Sequence, residues 1–162
     1  MDTPSITVAE AAPQDPQHVQ NAAKIWAQAA AQRDHMPRPV DGSQALAGVE
    51  RRLALPDARL VFASKDGVPA GFTLCSPHDG YLEIYYVAVA PDFWGQGVAR
   101  ELMAEVENFA RAAGFREVRL WAITDNSRAI KLYQANGWRP TGEELTDAAS
   151  GRTEILLAKA KH

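Results

Sequence analysis

The sequence predicts a mixed α/β domain in which antiparallel strands dominate and one parallel pair is built around a helix. The first ground is a succession of β-rich runs, Arg59 to Ser64, Val68 to Cys75 and the run from Leu82, separated by Asp66-Gly67 and by Pro77-His78-Asp79-Gly80. Asp-Gly between such runs is a hairpin signal, so these strands form an antiparallel meander. The second ground is the run Leu82 to Val89, which passes through Pro91 and the loop Gly95-Gln96-Gly97 into a helical pattern and then into a new apolar run, Val118 to Thr124. Strand, helix and strand in that order make a parallel pair by a right-handed crossover. At 162 residues, 46% hydrophobic and 23% charged, the chain suits a single domain, residues 1–162, with a substantial core.

The elements follow in order. Ser5 to Ala9 is a short β-like run; beyond Pro13, Asp15 and Pro16, the residues Val19, Ala23, Trp26 and Ala30 recur at helical spacing up to Arg33. His35-Met36-Pro37-Arg38-Pro39 interrupts that pattern. From Ser43, the residues Leu46, Val49 and Leu53 mark a second amphipathic helix that stops before Pro56. After the meander, Val98, Leu102, Val106, Phe109 and Ala113 give the third helix, with Gly114 placed as a left-handed C-cap. Val118 to Thr124 is almost unbroken in its apolar character, as expected for a strand buried on both faces. Asp125-Asn126-Ser127 offers N-caps to a helix carrying Ala129, Ile130, Leu132 and Tyr133, and Asn136-Gly137 closes it. Trp138 to Glu143 and Thr153 to Lys159 form a final hairpin around a polar loop.

Several function classes are disfavoured. A net charge of −3 without a Lys/Arg run argues against a nucleic-acid surface. Cys75 has no partner for a disulfide and sits in an apolar run, where it reads as a small buried hydrophobe in a reducing compartment. No segment reaches membrane-spanning length and the N-terminus lacks signal-peptide character, so a cytoplasmic location is expected. His18, His35, His78 and His162 share no ligand spacing with one another or with Cys75, so no metal site is expected. There is no Gly-x-Ser-x-Gly elbow for a hydrolase.

The glycine loop is the chemically informative stretch. Glycines at 95 and 97 allow backbone angles closed to other residues, and the N–H groups of the loop and first helical turn can converge on one anion, which makes a phosphate cradle. A dinucleotide fingerprint is the competing reading, with Glu117 in range of a ribose hydroxyl, but Arg100 stands where its third glycine belongs and few further βαβ units follow. A Walker loop lacks its Gly-Lys-Ser/Thr. A ligand-free strand–helix turn is the remaining alternative.

Two motifs carry a resemblance. Trp94-Gly95-Gln96-Gly97-Val98-Ala99, behind an apolar strand and Pro91, is similar to the Gln/Arg-x-x-Gly-x-Gly/Ala signature of the GNAT superfamily of N-acetyltransferases. Asn126-x-x-Ala129-x-x-Leu132-Tyr133-x-x-x-Gly137-Trp138 resembles its second motif. The motifs span roughly residues 82–143, and the order β-α-α-β-β-β-α-β-α-β-β resembles the family over nearly the whole chain. The resemblance implies a mainly antiparallel seven-stranded sheet flanked by four helices, acetyl-CoA as cosubstrate and no metal. Trp94 departs from the pattern; backbone N–H groups do most of the holding in such cradles, so a modest weakening is expected.

The resemblance also implies roles. The cradle comprises Trp94, Gly95, Gln96, Gly97, Val98, Ala99 and Arg100. A bulge in the preceding strand would free backbone groups at Val87, Ala88 and Val89 for the thioester carbonyl and pantetheine arm. Glu83 matches the catalytic base; independently, its place in an apolar and aromatic strand puts a carboxylate on a sheet surface. Tyr133 matches the general acid beside the thioester sulfur, and Asn126 contacts the pantetheine arm or caps its helix. Arg100, Arg128 and Lys131 either meet phosphates or form a solvated helix face. The expected reaction is acetyl transfer to a primary amine, on a small molecule or a peptide N-terminus, by direct attack in a ternary complex; a homodimer is compatible with the family. The acceptor site is expected between the loop Asp34 to Ser43, the strand face of Glu83 and Tyr85, and the loop Leu145 to Ser150, where Asp34, Asp41 and Asp147 would suit a cationic amine. A non-catalytic acyl-CoA-binding regulatory module of the same fold is the alternative.

Overall fold

The computed structural model describes residues 6–34, 42–148 and 151–160. Its elements are β1 (Ile6–Ala11), α1 (Pro16–Arg33), α2 (Gly42–Leu53), β2 (Arg59–Lys65), β3 (Val68–Pro77), β4 (Tyr81–Val89), α3 (Val98–Ala113), β5 (Glu117–Ile123), α4 (Ser127–Ala135), β6 (Arg139–Thr146) and β7 (Thr153–Ala160), with a single 3-10 turn at Pro91–Phe93. This is the order expected from the sequence. The strands form one seven-stranded sheet, β1-β2-β3-β4-β5-β7-β6, in which β4 and β5 are parallel and every other pair is antiparallel.

Local chemistry sets the boundaries. Asp15 accepts a hydrogen bond from the Gln17 N–H at 2.9 Å ahead of Pro16, a capped start for α1. Asp66 and Gly67 both have positive φ, 52° and 79°, the requirement of a tight hairpin between β2 and β3.

The two-residue period of the strands sorts side chains onto two faces. Leu60, Phe62, Phe72 and Leu74 pack against α1 and α2. The intervening Val61, Ala63 and Ala70 meet Val98 and Leu102 of α3 on the other face. Farther along that second face, Met103, Val106 and Ala110 of α3 and Tyr133 of α4 pack with Leu82, Ile84, Val118, Leu120 and Leu157. Fully burying such a side chain contributes about 1.5–3 kcal/mol, so this apolar stripe fixes α3, and with it the loop at its head. Gly71 permits the close approach: a Cβ there would lie 2.7 Å from the Ala88 carbonyl oxygen and 3.1 Å from both Val98 and Leu102.

One expectation is corrected. β5 is not buried on both faces: Val118, Leu120 and Ala122 are buried, whereas Glu117, Arg119, Trp121 and Ile123 are only half-buried. The reason is coverage, since α1 and α2 pack over β2, β3 and β4 and leave that face of β5 partly open.

β4 changes character along its length. Tyr81 to Ile84 pairs with β5 from Glu117 to Leu120, and no later residue of β4 pairs with β5. On the β3 side the register jumps, with Leu74 opposite Tyr86 but Cys75 opposite Ile84, so Tyr85 is an inserted residue. Such a bulge bends its strand. β4 therefore leaves β5 just past Ile84 and the sheet splays open there.

Candidate active site

The splay ends at the glycine loop. Gly95 and Gly97 have φ of +77° and +86°, and a Cβ built on either meets no heavy atom within 4 Å. Backbone angle is thus what selects glycine here, and the space above the loop is open to a ligand. Gly97 caps α3, whose first bond of helical spacing runs from the Glu101 N–H to the Gly97 oxygen at 3.1 Å. The N–H groups of Val98, Ala99 and Arg100 come before that bond, at the positive end of a 16-residue helix, which is an arrangement suited to an anion. The Gln96 side chain is held aside, accepting from the Lys65 ammonium and donating to the Asp92 carbonyl.

Trp94 has a definite task. Its indole N–H donates to the Val89 carbonyl at 2.7 Å, and the Arg128 guanidinium of α4 lies 4.3 Å over its ring. The residue that departs from the motif therefore ties the loop to the open end of β4 and to the first turn of α4. Arg128 is exposed like Arg100 and Lys131, but unlike them it stacks on a ring.

Backbone direction follows from one bond. The Ala90 N–H donates to the Ala70 carbonyl at 2.8 Å, so alternation turns Ala88 towards β3 as well, and turns the amides of Val87 and Val89 into the splay. Of the three residues expected at the pantetheine arm, Ala88 has its backbone committed to the β3 ladder and its side chain packed against the α1 cluster.

The bulge also decides which side chains share a face. Leu82 and Ile84 lie in the α3–α4 core, so Glu83 looks the other way, towards the α1–α2 face, where it is half-buried beside Arg119 of β5. Tyr85 stays on that face, under Arg52 of α2, and so does the next residue, Tyr86, whose ring packs on Trp26 and Phe72. Two consecutive residues on one face are the mark of the inserted position. The Tyr85 hydroxyl is hydrogen-bonded to His78 Nε2 at 2.8 Å. Burial, then the neighbouring Glu83 carboxylate, push its phenol up to about 12.

Tyr133 lies on the opposite face, 8% exposed, with its ring 6.1 Å from that of Trp138. Burial pushes its phenol up to about 12, so it keeps its proton at neutral pH. Glu83 and Tyr133 thus lie on opposite faces of the sheet. Asn126 caps α4, accepting from the Ala129 N–H at 3.3 Å. Glu117, which a dinucleotide reading would place on a ribose, is paired with Arg119.

The aspartates expected to attract a cationic amine are differently placed. Asp34 is bonded by Arg33 at 3.1 Å and Arg152 at 2.9 Å, and these guanidiniums hold its carboxyl below the usual range. Its charge is neutralised, and it ties the end of α1 to the β6–β7 loop. Asp41 lies outside the described residues. Among the described residues no cluster of metal-ligating side chains occurs and no helix is long and apolar enough to cross a membrane. Cys75 is buried, with its thiol pushed up to about 12 by burial.

Sequence reasoning missed Tyr85 as the inserted residue, the hydrogen bond of His78 and the position of Arg52. Only His78, in the turn that leads directly into the aromatic strand, carried any signal, and its spacing was informative solely about metals.

Known proteins share this architecture. The family model described as acetyltransferase (GNAT) family matches residues 23–138. A mycothiol acetyltransferase of Brachybacterium faecium is 33% identical over 122 residues, which cover 70% of this chain and 37% of that protein. The N-alpha-acetyltransferase RimI of Mycobacterium tuberculosis is 33% identical over 102 residues, 59% of this chain and 61% of that one. The chain therefore spans little more than a third of the mycothiol acetyltransferase it matches. In fold it is similar to the PaiA N-acetyltransferase of Thermoplasma acidophilum, solved in complex with coenzyme A, with a TM-score of 0.75 at 15% identity over 97% of this chain and 99% of the other.

Proposed function

This chain belongs to the acetyltransferase (GNAT) family, and from that membership we infer that it transfers the acetyl group of acetyl-CoA to a primary amine by direct attack within a ternary complex. The observation that carries the reading is the splay of β4 from β5 with an open glycine cradle at its end. The fit is physical: positive-φ glycines with free space above them admit a pyrophosphate, and the N–H groups of Val98, Ala99 and Arg100 would hold it. The Val87 and Val89 amides, turned into the splay, would bind the pantetheine arm and the carbonyl oxygen on which charge develops.

Acetyl-CoA supplies an activated thioester; the chain must supply proton management. An alkyl ammonium has a pKa near 10, so roughly one molecule in a thousand is neutral near pH 7 and a base is needed. Glu83 fits that role because it sits half-buried on the α1–α2 face at the last residues before the splay. The departing thiolate has a conjugate-acid pKa near 8.5. A neighbouring phenol that is still protonated can give it a proton, and Tyr133 on the opposite face fits that part.

Titration calorimetry with acetyl-CoA tests the reading. The wild-type chain is expected to bind, and Gly97→Val, which forces a branched residue to φ +86° and fills the open space, is expected to weaken binding by roughly 1–3 kcal/mol with the fold retained. A folded variant with undiminished affinity would remove the cradle from the account.

A further inference from the structure

On the face of β4 that carries Glu83, the rings of Tyr81 and Tyr85 are already occupied by cations. Arg119 lies 4.0 Å over the ring of Tyr81, and Arg52 lies 5.4 Å over that of Tyr85. His78 stacks on Tyr81 at 5.0 Å and hydrogen-bonds the Tyr85 hydroxyl at 2.8 Å, so both rings are held in place. An aromatic face is attractive to an ammonium group, but with a guanidinium on each ring a polycationic acceptor would meet like charge instead.

The two guanidiniums differ in their counter-charge. Arg119 is paired with Glu117, whereas no carboxylate among the described residues pairs with Arg52, in the last turn of α2. Asp34 does not supply negative charge here either, being neutralised by Arg33 and Arg152. Arg52 is half-buried and rests on Tyr85, while its neighbour Arg51 is exposed. A guanidinium that is partly desolvated, oriented by stacking and in ion-pair contact with no carboxylate, even with Glu83 next to the same tyrosine, is a ready partner for a planar or tetrahedral oxyanion.

We propose that Arg52 forms an anion subsite beside Glu83, so that the acceptor amine belongs to a molecule carrying an acidic group, a carboxylate or a phosphate ester, close to that amine. The proposal rests on the reading of the Glu83 face as the acceptor site of an acetyltransferase. It assigns Arg52 to specificity: the residue binds the acceptor's acid and takes no part in moving its proton.

The test is CoA release from acetyl-CoA with matched amines: L-amino acids against their amides, O-phosphoethanolamine against ethanolamine, and spermidine as a polycation. Rates are compared per unprotonated amine, and acetyl-CoA affinity is measured on the same preparations. Wild type is expected to use acid-bearing amines with kcat/KM at least tenfold above that of their neutral partners; the amino-acid and phosphate arms show which acid is preferred. Arg52→Gln should abolish the discrimination by raising KM for the acids alone, Arg52→Lys should keep part of it, and Arg51→Gln should keep all of it. Turnover confined to spermidine or to the neutral amines, no turnover of any acid, or discrimination that survives in Arg52→Gln overturns the subsite and leaves the transferase reading standing if acetyl-CoA binds. Failure to bind acetyl-CoA together with silence across the whole panel overturns the transferase reading, and the subsite with it.

Discussion

The two halves of β4 differ by what lies beside them. From Tyr81 to Ile84 the strand is enclosed by β3 and β5, its backbone is used by two ladders, and Leu82 and Ile84 fill the core. From Tyr85 to Val89 only β3 remains, every side chain is half-exposed, and the amides of Val87 and Val89 face the splay. The change takes one inserted residue, Tyr85. An open strand edge invites unwanted pairing. Here Trp94 takes the Val89 carbonyl, which covers one acceptor of that edge. On the proposed reading the enclosed half mainly holds the fold and the open half receives the ligand; the variants below act on the enclosed core, on the proposed base at its end and on the phenol across the sheet.

The largest effects belong to the enclosed half and to the base at its end. Ile84→Ala, at a site 4% exposed, should cost about 2–5 kcal/mol of stability in denaturant melts while the folded fraction keeps its acetyl-CoA affinity. A mild melt with lost affinity would merge the two halves. Glu83→Gln should lower kcat/KM at neutral pH by about 10²- to 10⁴-fold and move the remaining activity towards alkaline pH, where more amine is already neutral, with acetyl-CoA binding nearly unchanged. Wild-type rates and an unaltered pH profile would make Glu83 a surface residue.

Smaller effects are expected at Tyr133. Tyr133→Phe keeps the ring packed and removes the hydroxyl, so kcat should fall about 10- to 10³-fold with little loss of stability at neutral pH. Its phenol also gives a pH signature. Folding raises it from an ordinary value of about 10 to about 12, so the folded chain retains a proton that the unfolded chain releases in that window. The associated stability is fully present below about pH 10 and declines as pH rises towards 12; Tyr133→Phe should flatten that part of the stability profile. An unchanged alkaline slope would show that the hydroxyl reaches solvent freely.

Much of the fold was legible because its determinants are local. The Asp66-Gly67 hairpin, the Gly114 cap and the apolar stripe of α3 each follow from a few neighbouring residues. The positive-φ turn at Gly95 and Gly97 was legible for the same reason, since two glycines spaced so closely before a helix mark a backbone turn that other residues resist. The partial burial of β5 was not, because an apolar run reports its own chemistry and says nothing about which helices cover it. Nor were the bulge at Tyr85, the Trp94 hydrogen bond and the placement of Arg52 over Tyr85, which depend on register and on contacts between distant segments. Asp34 illustrates the cost of that blindness: a loop aspartate read as a cation trap is neutralised by Arg152, 118 residues away.

The central claim is that acetyl-CoA completes the open half of β4. Amide hydrogen exchange read residue by residue, with and without acetyl-CoA, measures this directly. Val87 and Val89 are expected to exchange readily in the free chain and to become protected on binding, while Tyr81 to Ile84 stay protected throughout. Protection that appears elsewhere and leaves Val87 and Val89 unchanged at saturating acetyl-CoA would contradict it.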